Sequence, residues 1–352
     1  MSRATRRLRL LIVTALSSIP FSVYAAEQPG SVMPDDHGPA GLMADHMHHE
    51  GEFMIGYRYM YSRSGGTILN GSDEVSDAQL AAAGFSAVPT EMTMHMHMLD
   101  LMYAPRDWLT FMVMPQWMRM EMSMREVEGA VDDGGHGGGH GGHTGAHAHS
   151  TDGLGDTGLY ALVRLLEANG HHVHAGLGFS APTGSVDQKD AEGVYTHYMM
   201  QLGSGTWDFL PSLTYTGRME GWAWGAQASG IIRLEEKNES GFRFGDAFQA
   251  TAWGSRRLTD WLSASLRLSY FTQGIIKGHY NGPHNHTSPP DIQPNYGGRF
   301  LDLGIGLNAA VQRGALQGNR FGIEWLQPLH QDVNGFQQKR DGSLYATWSR
   351  AF

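Results

Sequence analysis

Residues 52–63 read EFMIGYRYMYSR. Phe53, Ile55, Tyr57, Tyr59 and Tyr61 share one parity, and Met54, Gly56, Arg58, Met60 and Ser62 share the other. Successive side chains of a strand point to opposite faces, so this stretch is a strand with one apolar face and one small or polar face. The same alternation sets Leu159, Ala161, Val163 and Leu165 against Asp156, Gly158, Tyr160 and Arg164. It also sets Leu262, Ala264, Leu266, Leu268 and Tyr270 against Ser263, Ser265, Arg267 and Ser269. About twelve such segments are expected, near 52–63, 90–104, 108–124, 156–168, 171–181, 206–218, 221–235, 243–257, 261–273, 299–313, 320–330 and 342–352.

The connections alternate in length. Short ones fall at 105–107, 169–170, 219–220, 259–260 and 314–319; long ones span 64–89, 125–155, 182–205, 274–298 and 331–341, with a shorter one at 236–242. An even number of strands with short turns at one end and long loops at the other is the pattern of an outer-membrane barrel. The fold expected is all-β: a transmembrane antiparallel up-and-down β-barrel over 52–352. A soluble β-sandwich also alternates, but it accounts less well for the loop rhythm and for an amphipathic last strand ending on Phe352.

Composition agrees. The chain has 352 residues, 47 of them glycine, and only 17% charged residues. It lacks the apolar run of about 18 residues that a membrane helix needs. It is too aromatic and too weakly charged for general disorder. The absence of cysteine excludes thiolate sites and disulfides. A net charge of −10 argues against nucleic acid as a partner. Arg3, Arg6, Arg7 and Arg9, the apolar run Leu10–Leu16 and Val23-Tyr24-Ala25 read as a signal peptide over residues 1–25. Residues 26–51 are then a periplasmic tail containing His and Met, and the expected location is the bacterial outer membrane, in contact with its lipid.

Several stretches resemble a bacterial outer-membrane "transporter" family named for the meta-pathway of phenol degradation. Gly153-Leu154-Gly155-Asp156 looks like its G-x-G-D element, Pro182-Thr183-Gly184 like its P-T-G, and Leu202-Gly203-Ser204-Gly205-Thr206 like its L-G-S-G segment. Glu324-Trp325-Leu326-Gln327-Pro328 with Gln331 is also similar. The resemblance covers most of residues 50–352 and implies an outer-membrane barrel in a channel-like role. Gly153-x-Gly155-x-x-Gly158 also fits a dinucleotide fingerprint, but a His/Gly loop precedes it and a strand follows, so that reading is rejected.

Two tracts lie outside the resemblance. Residues 92–98 read MTMHMHM and 112–124 read MVMPQWMRMEMSM. Met92, Met94, Met96 and Met98 share a parity, as do Met112, Met114, Met118, Met120, Met122 and Met124. Leu109, Phe111, Val113 and Trp117 take the opposite, lipid-facing parity, so the methionines are expected to face the lumen. Thioethers are soft ligands that select Cu(I), with Ag(I) alike; they are also flexible apolar filler suited to a greasy solute. Histidine is dense at His136, His140, His143, His147 and His149 in a Gly-rich loop. It is dense again before the first strand at His37, His46, His48 and His49. Such tracts bind metals or act as polar, pH-dependent linkers. The metal candidates are the ten methionines together with His46, His48, His49 and the five loop histidines. Arg58, Asp100, Arg164, Asp208, Arg218, Arg233, Arg267 and Asp302 are expected as a solvated charge network in the lumen. No G-x-S-x-G or H-E-x-x-H motif occurs, and no catalytic residue or required cofactor is expected. The reading is a non-enzymatic channel or binder for copper or another soft ion. The alternatives are a transporter of small apolar or aromatic molecules and a structural envelope barrel.

Overall fold

The computed structural model describes residues 33–130 and 148–352. The expected leader and His136, His140, His143 and His147 lie outside the described residues.

Wherever the sequence alternates, the chain is extended. The strands are β1 (Phe53–Gly71), β2 (Ala87–Arg106), β3 (Leu109–Met114, then Gln116–Glu126) and β4 (Ala148–Leu154, then Thr157–Ala168). They continue as β5 (His171–Ala181), β6 (Asp208–Met219), β7 (Trp222–Arg233), β8 (Ala247–Thr259), β9 (Leu262–Gln273) and β10 (Gly298–Ala310). A final extended run spans Asn319–Ala351. Each strand pairs antiparallel with the next, and β1 pairs with both β2 and the final run, which closes the ring.

The final run contains two passes. It is antiparallel to β10 from Arg320 to Val333, and antiparallel to β1 from Val333 to Ala351. With directions alternating around the ring, one straight strand cannot satisfy both neighbours. The chain therefore reverses at 333–335, where Gly335 takes φ +58°, and supplies β11 and β12. Twelve passes result, as expected. The expected outer loop 331–341 is instead part of this tall hairpin, and Ala148–Leu154, expected as loop, pairs with Trp117–Ser123.

Closure matters because a bilayer offers no hydrogen-bond partners to a strand edge. The seam is complete: Phe53 N–H donates to Phe352 O at 3.1 Å and Phe352 N–H to Phe53 O at 2.8 Å. Among the described residues no helix is long and apolar enough to span a membrane; the strands do so. Leu99, Phe111, Leu177, Leu213, Leu266 and Ile305 point outward and are exposed, which a lipid-facing surface explains. Trp108, Trp222, Trp261 and Phe352 crowd the end bearing the short turns, forming an aromatic girdle of the kind found at membrane interfaces.

Residues 33–50, expected as a tail outside the barrel, are folded into the lumen at the short-turn end. Their main-chain carbonyls are read by side chains around the ring. Arg58 donates to Ala40 O and Leu42 O, and Gln227 to Met43 O at 3.0 Å. His174 Nε2 lies 2.9 Å from Ala44 O, and Ser263 Oγ donates to Pro34 O at 2.9 Å. Asp35 takes a two-pronged contact from Arg257 at 2.8 and 3.1 Å, and Asp36 pairs with Arg218 and Arg320. Gly41 is packed against the wall, and its N–H donates to Glu324 Oε2 at 2.7 Å. A Cβ at Gly41 would collide with the Arg267 guanidinium and the Glu324 carboxylate. Gly41→Val is therefore expected to lift this plug, at an overpacking cost of about 1–3 kcal/mol. The check is conductance of the reconstituted protein, expected to rise above that of the parent, together with its urea unfolding midpoint, expected to fall.

Candidate functional site

The lumen has two chemically different walls. Parity turns every methionine named from the sequence inward: Met92, Met98, Met112, Met114, Met118, Met120, Met122 and Met124 are buried, and Met94 and Met96 line the central cavity. Strand register then sorts them into rows. Met96 stands between Met60 and Met118, Met94 opposite Met120, and Met92 opposite Met122, which faces His149 on β4. Lower down, Met102 lies between Met54 and Met112. Directly opposed residues have Cβ atoms about 4.5–5.5 Å apart, so each row is a contact. Pro115 has no N–H to give the ladder and marks the point where the register of β3 against β4 slips by one residue. Leu109–Met114 pairs with 158–163, and Trp117–Ser123 with 148–154. His95, His97, Arg119 and Glu121 face outward. Tyr59 OH meets His95 Nδ1 at 2.7 Å, Tyr57 OH meets His97 Nδ1 at 2.6 Å, and Arg119 pairs with Glu121.

The facing wall is polar. Arg267 and Glu324 form a two-pronged pair at 2.8 and 3.0 Å, both fully buried. Arg340 holds Asp302 at 2.9 Å and Arg233 pairs with Asp208, while Arg58, on the methionine side, lies 3.5 Å from Asp100. The solvated network expected here is in fact a set of largely buried ion pairs, because the plug and an inward-folded loop exclude water. Arg218 and Arg164 stand apart from that set: the first serves the plug through Asp36, and the second pairs with Glu167 near the rim. Glu324 and Arg340 are the partners that sequence reasoning missed. Glu324 shares its strand parity with Gly322 and Arg320 and could have been found that way.

Between the walls lies a cavity of about 840 Å³. Met60, Met94, Met96, Met98, Met118 and Met120 line one side; Gln227, Gln249, Ser229, Arg267 and Arg340 contribute to the other. The plug tip borders it below, and segment 199–204 with 289–297 borders it above.

The upper boundary is held by the three motifs that carried the family resemblance. Asp156 Oδ1 accepts Gly184 N–H at 3.0 Å, and Asp156 Oδ2 accepts Ser204 N–H at 2.7 Å. Thr183 Oγ1 donates to Gly155 O at 2.7 Å. G-x-G-D, P-T-G and L-G-S-G thus form one latch that folds the β5–β6 loop inward. Met199, Met200 and Leu202 of that loop then pack on the methionine wall. Outside the latch, Tyr195, Tyr198 and Tyr280 stack at 4.2–4.3 Å, and His197 Nδ1 lies 2.6 Å from Asp291. Burial pushes the Asp291 carboxyl up, but hydrogen bonds from His197 and Ser288 outweigh it and hold the group below the usual range.

The tail histidines divide. His46 and His48 are inside the plug, whereas His49 is at the rim, 3.5 Å from Asp107. Burial, with Arg320 adding, drives His37 well below the ordinary imidazole range. Burial also lowers His48. His149 reaches the top methionine row and lies 5.1 Å from the His197 ring.

A closed, girdled barrel whose lumen is bounded by an inward loop and a plug defines an outer-membrane β-barrel channel. The family model described as "Putative MetA-pathway of phenol degradation" matches residues 115–324, and the chain belongs to that family. Among solved structures, an outer-membrane channel from Pseudomonas putida F1 is similar at 17% identity and TM-score 0.56, over 88% of this chain and 99% of that one. The β domain of the Bordetella autotransporter BrkA matches at 11% identity and TM-score 0.44, over 86% and 100%. A Pseudomonas aeruginosa FadL homologue matches at 10% and 0.37, over 86% and 89%. No curated protein matches the chain.

Asp156→Ala removes the acceptor for two backbone donors. Hydrogen bonds to charged groups are worth about 1.5–3 kcal/mol each, so the β5–β6 loop is expected to swing free. Limited proteolysis should then cut within 185–200 in the variant and spare the parent.

Proposed function

We propose that this channel passes small amphipathic organic molecules, aromatic ones above all, through the central cavity. One observation carries the reading: a cavity of about 840 Å³ with thioethers on one side and arginine, glutamine and serine on the other. That volume suits a small organic ligand, and ligand sites pair a mostly apolar lining with a few polar groups. Methionine sulfur makes favourable contacts with aromatic rings, while the opposite wall offers donors and acceptors to a hydroxyl or carboxylate. The family's own description, which names phenol degradation, supports the same solute class.

A second reading rests on a separate observation, the in-register rows Met60–Met96–Met118, Met94–Met120 and Met92–Met122–His149. Neighbouring thioethers with an imidazole at the top are a ligand set for Cu(I) or Ag(I), and weak repeated sites let an ion move on. One substitution series separates the two. Replacing Met94, Met96, Met118 and Met120 by Leu keeps the wall apolar and of similar volume. Protein-dependent uptake of a phenolic tracer into liposomes is expected to stay within about threefold of the parent. Ag(I) binding that disappears in this variant, with tracer uptake absent in the parent, would favour the metal reading instead.

A further inference from the structure

The plug carries a cluster that the solute reading does not use. Residues 38–45 form a loop closed at its neck: Gly38 N–H donates to Asp45 Oδ2 at 2.7 Å, and Leu42 N–H to Pro39 O at 2.9 Å. His37 and His46 flank that neck with ring centroids 3.9 Å apart. His37, Asp45 and His46 each offer one ligand atom, and the three lie within 4.8 Å of one another. The His48 ring is 5.1 Å from that of His46. His46 Nδ1 is 2.9 Å from Asp45 Oδ1. Among the described residues nothing pairs with His46 Nε2 or His48 Nε2, and both atoms are shielded from solvent. Unpaired buried polar atoms are costly and mark a missing partner. A cavity of about 50 Å³ borders His37, Asp45 and His46, which is room for an ion with a water.

We propose that His37, Asp45 and His46 bind a divalent transition ion of intermediate softness, such as Zn²⁺, with His48 beside it, and that the ion clamps the plug in its lumen-filling shape. Imidazole with one carboxylate is a zinc-type donor set and a poor one for Ca²⁺ or Mg²⁺. A tetrahedral ion holds its ligands about 3.4 Å apart, so small side-chain rotations bring the three atoms to bonding distance. The mechanical consequence follows from position. The loop tip, residues 40–44, is the part that Arg58, Glu324, His174 and Gln227 hold. An ion at the neck fixes the spacing of the two legs that carry that tip. The inference is independent of which solute the cavity takes.

The test uses the full chain in detergent and in planar bilayers. Zn²⁺ is titrated against a chromophoric chelator for the parent and for H37Q and H46Q, with Mg²⁺ as the hard-ion control. The tightest equivalent of Zn²⁺ is expected to weaken at least about tenfold in either variant, while equivalents bound elsewhere keep their affinity. Micromolar Zn²⁺ should lower the parent's conductance, a chelator should restore it, and neither should act on the variants. D45N, which keeps the size of the neck residue, replaces any histidine variant whose far-UV circular dichroism shows that it has not folded. Identical Zn²⁺ titrations for parent and variants would overturn the site. Loss of the equivalent with an unchanged conductance response would overturn the clamp.

Discussion

The constraint on which everything else depends is that no backbone group may be left unpaired in the bilayer. It forces the strands into a closed ring, and Phe53 with Phe352 supply the last two hydrogen bonds of that ring. Once the ring is closed, parity is no longer free. A shift of one residue in any strand would exchange its lipid and lumen faces. The methionines at 92–98 and 118–124 must then all look inward, and register sets them side by side rather than merely on the same face.

That ring leaves a space too wide for its own side chains, and the chain fills it from both ends. The plug enters at the short-turn end and the β5–β6 loop at the other. Each brings backbone polar groups into the lumen, and each is met by side chains chosen for that purpose. Arg58, Gln227, His174 and Ser263 serve the plug, and Asp156 serves the loop. The buried Arg267–Glu324 pair belongs to the same logic. Two charges in a dry place are tolerable when each satisfies the other and the Glu324 Oε2 that meets Arg267 also takes the Gly41 N–H.

Much of this was legible in the sequence. Period-two alternation carried the strand count, the barrel and the inward aim of the methionine rows, because one face meets lipid and the other the lumen. That contrast ends at the membrane surface. Above the membrane both faces of a strand meet water, so 331–341 looks like loop although its hydrogen-bond ladder continues. The plug was illegible for another reason. Residues 33–50 have no periodicity of their own, and their shape is dictated by partners such as Arg320 and Glu324, nearly three hundred positions away. The latch lay between these cases. Its three motifs were visible as a family signature, but nothing in their spacing said that Asp156 would join the other two.

The plug's partners also imply an order of events. Residues 33–50 are near the start of the chain, yet they are held by β1, β5, β7, β9 and the closing hairpin together. Contacts so distant in sequence cannot form until the intervening strands have assembled. Glu324 and Arg320 arrive only with β11, next to the strand that seals the seam. The earliest of the described segments is therefore the last to find its place, and a seated plug reports that the barrel around it is whole.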